Sequence, residues 1–244
     1  MKLILYSLLI LLSMADLQAE PLHVVTNDFP PFQIISGDKV SGFTTEIVRH
    51  VLKDAGLEGE IKGYPWARAY KMATKERNTL IYSIVRNKER EKLFKWIGPI
   101  APYDVYFWKL KKRTDIKIKN IKDAKKYVTG AMISGSKSNH LMKHGFIEGK
   151  NLDQGDSDLD NFRKLYAERV DLILFDTISF HYTAILEKKD PALAEKIFKV
   201  EGISNELYLA ASHDTPDSVV MKLRASLEAF KKTNKYKEIK SHMK

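Results

Sequence analysis

The amino-acid sequence alternates short apolar runs with longer stretches in which apolar residues recur every three or four positions. The apolar runs include residues 22–26, 80–85 and 170–175, and the clearest longer stretch is residues 44–55. A run of this kind suits a strand buried on both faces, whereas the spacing in the longer stretch places its apolar side chains on one face of a helix. This alternation predicts an α/β fold.

The order of these segments predicts two similar halves. A first set of strands and helices ends near the basic residues 109–126, and a second set begins with the strand-like residues 127–132. Each set has about 80–100 residues, near the usual size of a domain, and no flexible linker separates them. Within the first set, Thr44 is a candidate helix N-cap and Pro65 suits the first turn of the next helix. We therefore expect two α/β lobes that pack closely.

The N-terminal residues 1–19 have the pattern of a secretory signal. Lys2 precedes a mostly apolar run of 12 residues, 3–14, which is shorter than the roughly 20 residues needed to span a bilayer. Small residues place the cleavage site after Ala15 or Ala19. We expect a soluble periplasmic protein without an acyl anchor, since the chain has no cysteine.

Composition excludes several kinds of site. With no cysteine, the chain can hold neither a disulfide framework nor a zinc site with thiolate ligands. The 41 Lys and Arg exceed the 31 Asp and Glu, and residues 109–126 are the densest basic stretch. Export and the lack of interleaved aromatic residues argue against a nucleic-acid partner. We interpret this stretch as a solvated face.

Polar residues after the predicted strands are the candidate ligand contacts, because ligands of such sheets bind at the carboxyl ends of strands. Arg86 and Arg90 follow residues 80–85, and the planar guanidinium of arginine can hold a carboxylate through two parallel hydrogen bonds. Ser136 and Ser138 lie where a helix should begin, and there they either cap the helix or help its N–H groups to bind an anion. Asp176 ends an apolar strand, either as a helix N-cap or as the counter-charge of a cation.

Enzyme signatures are weak in this sequence. Ser134 and Lys137 satisfy an S-x-x-K pattern, but the K-T-G partner motif is missing. His140 and His144 are spaced like metal ligands, yet the glutamate of a metalloprotease motif is absent between them. We expect no catalytic activity, no cofactor and no metal.

A series of short motifs, taken in order, resembles a known family from residue 22 to about residue 239. The family is the periplasmic solute-binding proteins for polar amino acids, the extracellular solute-binding protein family 3 of ABC importers. The motifs are Phe29-Pro30-Pro31-Phe32, Gly42-Phe43, Tyr64-Pro65-Trp66, Arg90, Gly98-Pro99, Ser134-Gly135-Ser136 and Phe175-Asp176.

The resemblance implies the two-lobed type II periplasmic binding fold, with a ligand cleft between the lobes. Two hinge crossings are expected near residues 101–106 and 201–206. Lobe 1 then comprises residues 20–104 and 205–244, and lobe 2 comprises residues 105–204. The implied function is capture of a small polar amino acid or related carboxylate by lobe closure, and delivery by a monomer to the permease of an ABC importer in the inner membrane.

The resemblance also implies roles for individual residues. Arg90 matches the arginine that grips the ligand α-carboxylate, Ser136 matches the loop that completes this grip, and Asp176 matches the acid that receives the α-amino group. Three further positions match residues that wall or contact the ligand: Phe29, Trp66 and Ser83.

Three features depart from the family pattern. Val85 replaces a common hydroxyl residue, and Arg86 replaces a small apolar residue, so Arg86 either points away or recognises an extra carboxylate. The spacing from Gly130 is one residue longer, so that Lys137 or Ser138 takes the place of the second hydroxyl.

Two other functions fit related two-lobed proteins. One is a periplasmic dehydratase of the cyclohexadienyl or arogenate type, which needs an acid-base group in the cleft. The other is a sensory receptor that presents its ligand to a membrane protein.

Overall fold

The computed structural model describes residues 21–203 and 206–243. Their strands form two five-stranded sheets and one short hairpin, Ile34–Ser36 with Lys39–Ser41. The helices that cover the sheets are Phe43–Asp54, Trp66–Lys75, Ile121–Ala124, Ser136–Lys143, Asp158–Tyr166, Thr177–Leu186, Asp217–Phe230 and Asn234–Ser241, with a 3₁₀ turn at Pro191–Leu193. The predicted signal at residues 1–19, with both cleavage sites, lies outside the described residues.

The first sheet combines strands from both ends of the described chain. Its order is Gly59–Gly63, Leu22–Thr26, Thr79–Val85, Glu206–Ser212 and Phe94–Pro102. The first three strands are parallel, and Glu206–Ser212 runs antiparallel to both of its neighbours. Thr79–Val85 is buried along its whole length, because it lies at the centre of the sheet and contacts helices Phe43–Asp54 and Trp66–Lys75.

The second sheet is built from the middle of the chain. Its order is Ala194–Lys199, Val105–Leu110, Leu172–Asp176, Thr129–Met132 and Leu152–Gly155. The apolar run that ends at Asp176 is again a central, fully buried strand. It pairs in parallel with Thr129–Met132 and antiparallel with Val105–Leu110.

The chain passes between the sheets twice. It leaves the first sheet after Phe94–Pro102 and enters the second at Val105–Leu110, and it returns between Ala194–Lys199 and Glu206–Ser212. The first passage, residues 103–104, lies within the expected crossing 101–106, and the second, which begins at Val200, overlaps the expected crossing 201–206. The lobe boundaries at 104/105 and 204/205 stay a prediction.

Gly42, and not Thr44, is the N-cap of the first helix, so the expectation for Thr44 is wrong. The Thr44 hydroxyl donates instead to the carbonyl oxygen of Phe32 at 2.8 Å, which ties the helix to the preceding loop. Gly42 has a φ of 103°, and a Cβ there would lie 2.6 Å from the Phe32 oxygen. The close approach of two backbone segments therefore requires glycine at this helix start.

The basic stretch 109–126 is mostly exposed, as expected for a solvated face, but Lys109 departs from this interpretation. Its side chain is buried and forms an ion pair with Glu195 at 2.7 Å. Within residues 21–203 and 206–243, the helices are all too short or too polar to cross a bilayer.

Candidate functional site

A small cavity lies where residues from the two sheets face each other. Its volume is about 40 Å³. The side of the first sheet contributes chiefly Asn27, Phe29, Trp66, Ser83 and Arg90. The side of the second sheet contributes chiefly Met132, Gly135, Ser136, Lys137 and Asp158. Tyr103, from the first crossing between the sheets, completes the lining.

Arg90 is the most unusual charged group of the lining. Its residue is only 4% exposed, and no carboxylate of residues 21–203 or 206–243 lies within ion-pair distance of its guanidinium. One nitrogen, Nη1, donates to the Val85 carbonyl oxygen at 3.0 Å, and the rings of Trp66 and Tyr70 lie 5.2 and 5.1 Å from Cζ. Burial lowers the pKa of Arg90 below its usual value. A buried cation with donors to spare is suited to bind an anion.

A bulge in the central strand of the first sheet places Ser83 in the lining. The pairing with Glu206–Ser212 shifts register beside it, and Ser83 has a φ of 55°, a conformation that residues other than glycine rarely adopt. Its hydroxyl donates to the Thr44 hydroxyl at 2.9 Å. Strained backbone of this kind often accompanies a binding site.

Among the described residues, one hydrogen bond and one ion pair join the sides of the cavity. The indole Nε1 of Trp66 donates to the carbonyl oxygen of Ser134 at 3.0 Å. At the rim, Glu89 and Lys143 form an ion pair. These contacts hold the cleft shut around the cavity.

Lys137 and Asp158 form a buried ion pair inside the lining. Nζ lies 2.7 Å from Oδ2 of Asp158, and the two side chains are 5% and 17% exposed. Lys137 belongs to the first turn of helix Ser136–Lys143, and Asp158 begins helix Asp158–Tyr166. The loops that precede both helices follow neighbouring strands of the second sheet, which brings the two charges together.

Asp176 acts as the N-cap of helix Thr177–Leu186. Its Oδ1 accepts a hydrogen bond from the backbone N–H of Ser179 at 2.9 Å, while Oδ2 is buried without a hydrogen-bond partner. Burial raises the pKa of Asp176, and the hydrogen bond from Ser179 and the charge of Lys137 oppose this rise. The N-cap interpretation is therefore observed, and Asp176 lies outside the cavity lining.

A model of the bacterial extracellular solute-binding proteins, family 3, matches residues 22–242. The chain belongs to this family. No significant match is found among curated proteins.

Solved structures show the same fold at low sequence identity. A histidine kinase sensor domain with similarity to periplasmic binding proteins has a TM-score of 0.80 and 16% identity, over 91% of this chain and 95% of that chain. The arginine-, lysine-, histidine-binding protein ArtJ of Geobacillus stearothermophilus has a TM-score of 0.76 and 19% identity, over 90% and 93%. The substrate-binding protein of an amino acid ABC transporter has a TM-score of 0.73 and 18% identity, over 89% and 96%. The expected two-lobed type II periplasmic binding fold is thereby confirmed.

The structure of this family 3 protein brings five of the eight predicted site residues to one cavity. These are Phe29, Trp66, Ser83, Arg90 and Ser136. The other three lie elsewhere: besides Asp176, Arg86 forms an ion pair with Glu91 at 2.6 Å outside the cavity, and the buried hydroxyl of Ser138 donates to the Gly135 carbonyl oxygen at 3.1 Å. Arg86 does not line this cavity, and its role toward a ligand stays a prediction.

The sequence interpretation missed Asp158 and Tyr103. Asp158 follows the short strand Leu152–Gly155, whose carboxyl end lies on the ligand side of its sheet. Polar residues after every strand of such a sheet are candidates, and applying that rule to this strand would have identified Asp158. No local pattern marks Tyr103, because only the crossing between the sheets brings it to the cavity.

Proposed function

We propose that this protein captures a small carboxylate ligand, an amino acid or a related acid, between its lobes and delivers it to an ABC importer. The observation that carries the proposal is Arg90, a buried guanidinium in the lining of a cavity between two lobes, for which the described part of the chain supplies no carboxylate partner. A ligand carboxylate would supply the missing counter-charge through a bidentate hydrogen-bonded pair.

We expect the lobes to close on the ligand, because residues of both lobes contact it. Arg90 and Ser83 belong to the side of the first sheet, whereas Ser136 and Lys137 belong to the side of the second. A ligand that contacts both sides binds the shut form more tightly than the open form, and only this difference can shift the equilibrium. The contact of Trp66 with Ser134 and the rim ion pair add to the stability of the shut form.

Family membership and the likeness to transporter binding proteins support delivery to an importer. A sensory role is the second candidate, supported by the likeness to a histidine kinase sensor domain. Catalysis is not part of the proposal, because the carboxylate in the lining, Asp158, is held by Lys137.

The first experiment is a thermal-shift screen of the exported protein, refolded without ligand, against amino acids, 2-oxo and 2-hydroxy acids, dicarboxylates and prephenate. A ligand at a hundred times its dissociation constant adds about 2.7 kcal/mol, which for a chain of this size is roughly 5–11 °C. We expect the shift to disappear in Arg90→Ala and to persist in the matched control Arg86→Ala. A shift that survives Arg90→Ala would contradict the proposed site.

Three further measurements address the remaining parts of the proposal. An assay of prephenate and arogenate dehydration tests the enzymatic alternative, and turnover of either compound would identify a dehydratase. Uptake of the identified ligand, lost on deletion of the gene, distinguishes transport from sensing. N-terminal sequencing of the exported protein should begin at Asp16 or Glu20.

A further inference from the structure

The Lys137–Asp158 pair fixes the charge that a ligand meets on the side of the second sheet. The Lys137 ammonium is almost fully buried, lies 2.7 Å from the Asp158 carboxylate, and has the ring centroids of Phe175 and Phe29 at 4.8 and 5.7 Å. A buried ammonium with an ion-pair partner and two aromatic neighbours is held in place.

The lining as a whole carries an excess of positive charge. It contains two cations, Arg90 and Lys137, and one carboxylate, Asp158. The carboxylate is already paired with Lys137, whereas Arg90 has no such partner among the residues that the structure describes. The unmatched charge of the lining is therefore one cation, and one ligand carboxylate neutralises it.

A ligand ammonium group finds no free carboxylate in the cavity lining. Next to Asp158 it would compete with Lys137 for one carboxylate, and two ammonium groups a few ångströms apart repel strongly in a buried site. Asp176 does not line the cavity: its Oδ1 caps helix Thr177–Leu186, and its buried Oδ2, which has no hydrogen-bond partner among the described residues, lies outside the lining.

The same lysine offers hydrogen bonds to a different group. An ammonium has three N–H donors, and Asp158 Oδ2 accepts one of them. An oxygen on the carbon next to the ligand carboxylate, whether carbonyl or hydroxyl, can accept another while Arg90 holds the carboxylate. Both cations line the same small cavity, so we expect one short ligand to place its carboxylate at Arg90 and the neighbouring oxygen at Lys137.

We propose that Lys137 occupies the position of a ligand α-ammonium group, so that the cavity selects 2-oxo and 2-hydroxy acids over the corresponding amino acids. This inference rests on the proposed function, capture of a carboxylate by Arg90, and narrows its ligand class.

The test uses ligands that differ only at the carbon next to the carboxylate. The sets are pyruvate, L-lactate and L-alanine; 2-oxoglutarate and L-glutamate; phenylpyruvate and L-phenylalanine. Isothermal titration calorimetry on the refolded protein should show one 2-oxo or 2-hydroxy acid bound at least about 10-fold more tightly than its amino acid. The wild-type comparison needs no variant, so it decides the question even if a substitution prevents folding.

The variant Lys137→Thr tests whether Lys137 causes the preference for 2-oxo and 2-hydroxy acids over amino acids. It removes the ammonium and frees Asp158 to accept a ligand amine, so the preference should fall by at least about 10-fold or reverse. The matched control is Lys109→Thr, since Lys109 is an equally buried lysine, paired with Glu195, that does not line the cavity. This control should keep the wild-type preference.

The outcomes separate the inference from the proposed function. Tighter binding of an amino acid by the wild type, abolished by Arg90→Ala, would overturn the role of Lys137 and leave the proposed function intact. An unchanged preference in folded Lys137→Thr would also overturn that role. Silence from every carboxylate, or binding insensitive to Arg90→Ala, would overturn both.

Discussion

Replacing Arg90 by methionine should abolish ligand binding and leave the ligand-free protein at least as stable as the wild type. Methionine has a similar length and no charge, so it fills the space without the need for a counter-ion. The expectation follows because the Arg90 guanidinium is buried without a carboxylate partner among the described residues. Its desolvation lowers the stability of the ligand-free protein, and a bound carboxylate compensates for that cost.

The magnitude can be worked out from the contacts of the guanidinium. The substitution removes the hydrogen bond to Val85, worth about 1.5 kcal/mol for a charged donor. It also removes the contacts with Trp66 and Tyr70, about 2 kcal/mol each in a desolvated site, of which the methionine sulfur restores about 1–1.5 kcal/mol each. It also removes the desolvation penalty of a buried charge, which amounts to several kcal/mol. Removal of the desolvation penalty therefore offsets or exceeds the loss of about 3 kcal/mol in contacts. We expect a net gain of about 0–2 kcal/mol, or a melting temperature up to roughly 8 °C higher.

Thermal unfolding of the refolded, ligand-free variant, followed by circular dichroism, measures this change. The matched control is Arg113→Met, because Arg113 is paired with Asp115 and Asp171 and has no contact with the cavity. The control should lose about 1 kcal/mol, since the half-buried Asp171 then lacks its cation. A loss above about 2 kcal/mol in Arg90→Met would refute the reasoning and make Arg90 a structural residue.

Three further outcomes are expected. Because burial raises the pKa of Asp176, the folded state holds the proton more tightly than the unfolded state, and wild-type stability should decline as pH rises above 3.8. Asp176→Asn keeps the hydrogen bond with the Ser179 N–H and should remove this decline. Asp176→Ala loses that bond and should lower the free energy of unfolding by about 1 kcal/mol. Trp66→Phe loses the bond to Ser134 and should weaken ligand affinity about 5-fold in calorimetry. Burial beside other cations lowers the pKa of His140 to about 4, so wild-type stability should fall as pH drops from 6.5 to 4, and denaturant titrations of His140→Gln should show a shallower fall.

The fold class was predictable because its signals are local. A strand buried on both faces must be apolar along its length, and a helix on a sheet must repeat its apolar residues every three or four positions. Residues 80–85 and 170–175 follow the first rule, and both runs overlap central buried strands. The N-cap of the first helix was not predictable in this way, because the contact that requires Gly42 comes from the backbone of Phe32.

Site residues could be predicted from the sequence where a polar residue suited to ligand binding follows a predicted strand. Arg90 and Ser136 follow predicted strands, and the structure places both in the cavity lining. Ser83, which lies within a strand, was identified only through the resemblance to the family. The ion-pair partner of a charged residue could not be predicted in this way. Sequence position alone left Arg86 and Arg90 equivalent. Only the folded chain gives Arg86 a carboxylate, Glu91, whereas Arg90 has none among residues 21–203 and 206–243.

The sequence by itself determined two α/β halves, a cysteine-free chain and an arginine after a central strand, since these depend on residue type and short spacing. The tertiary structure alone decided that Lys137 meets Asp158, 21 residues further along the chain, and that the pair lines the cavity with Arg90. Charges so distant in sequence interact only after the strands that carry them have paired. The charge of the ligand site is therefore a property of the folded protein.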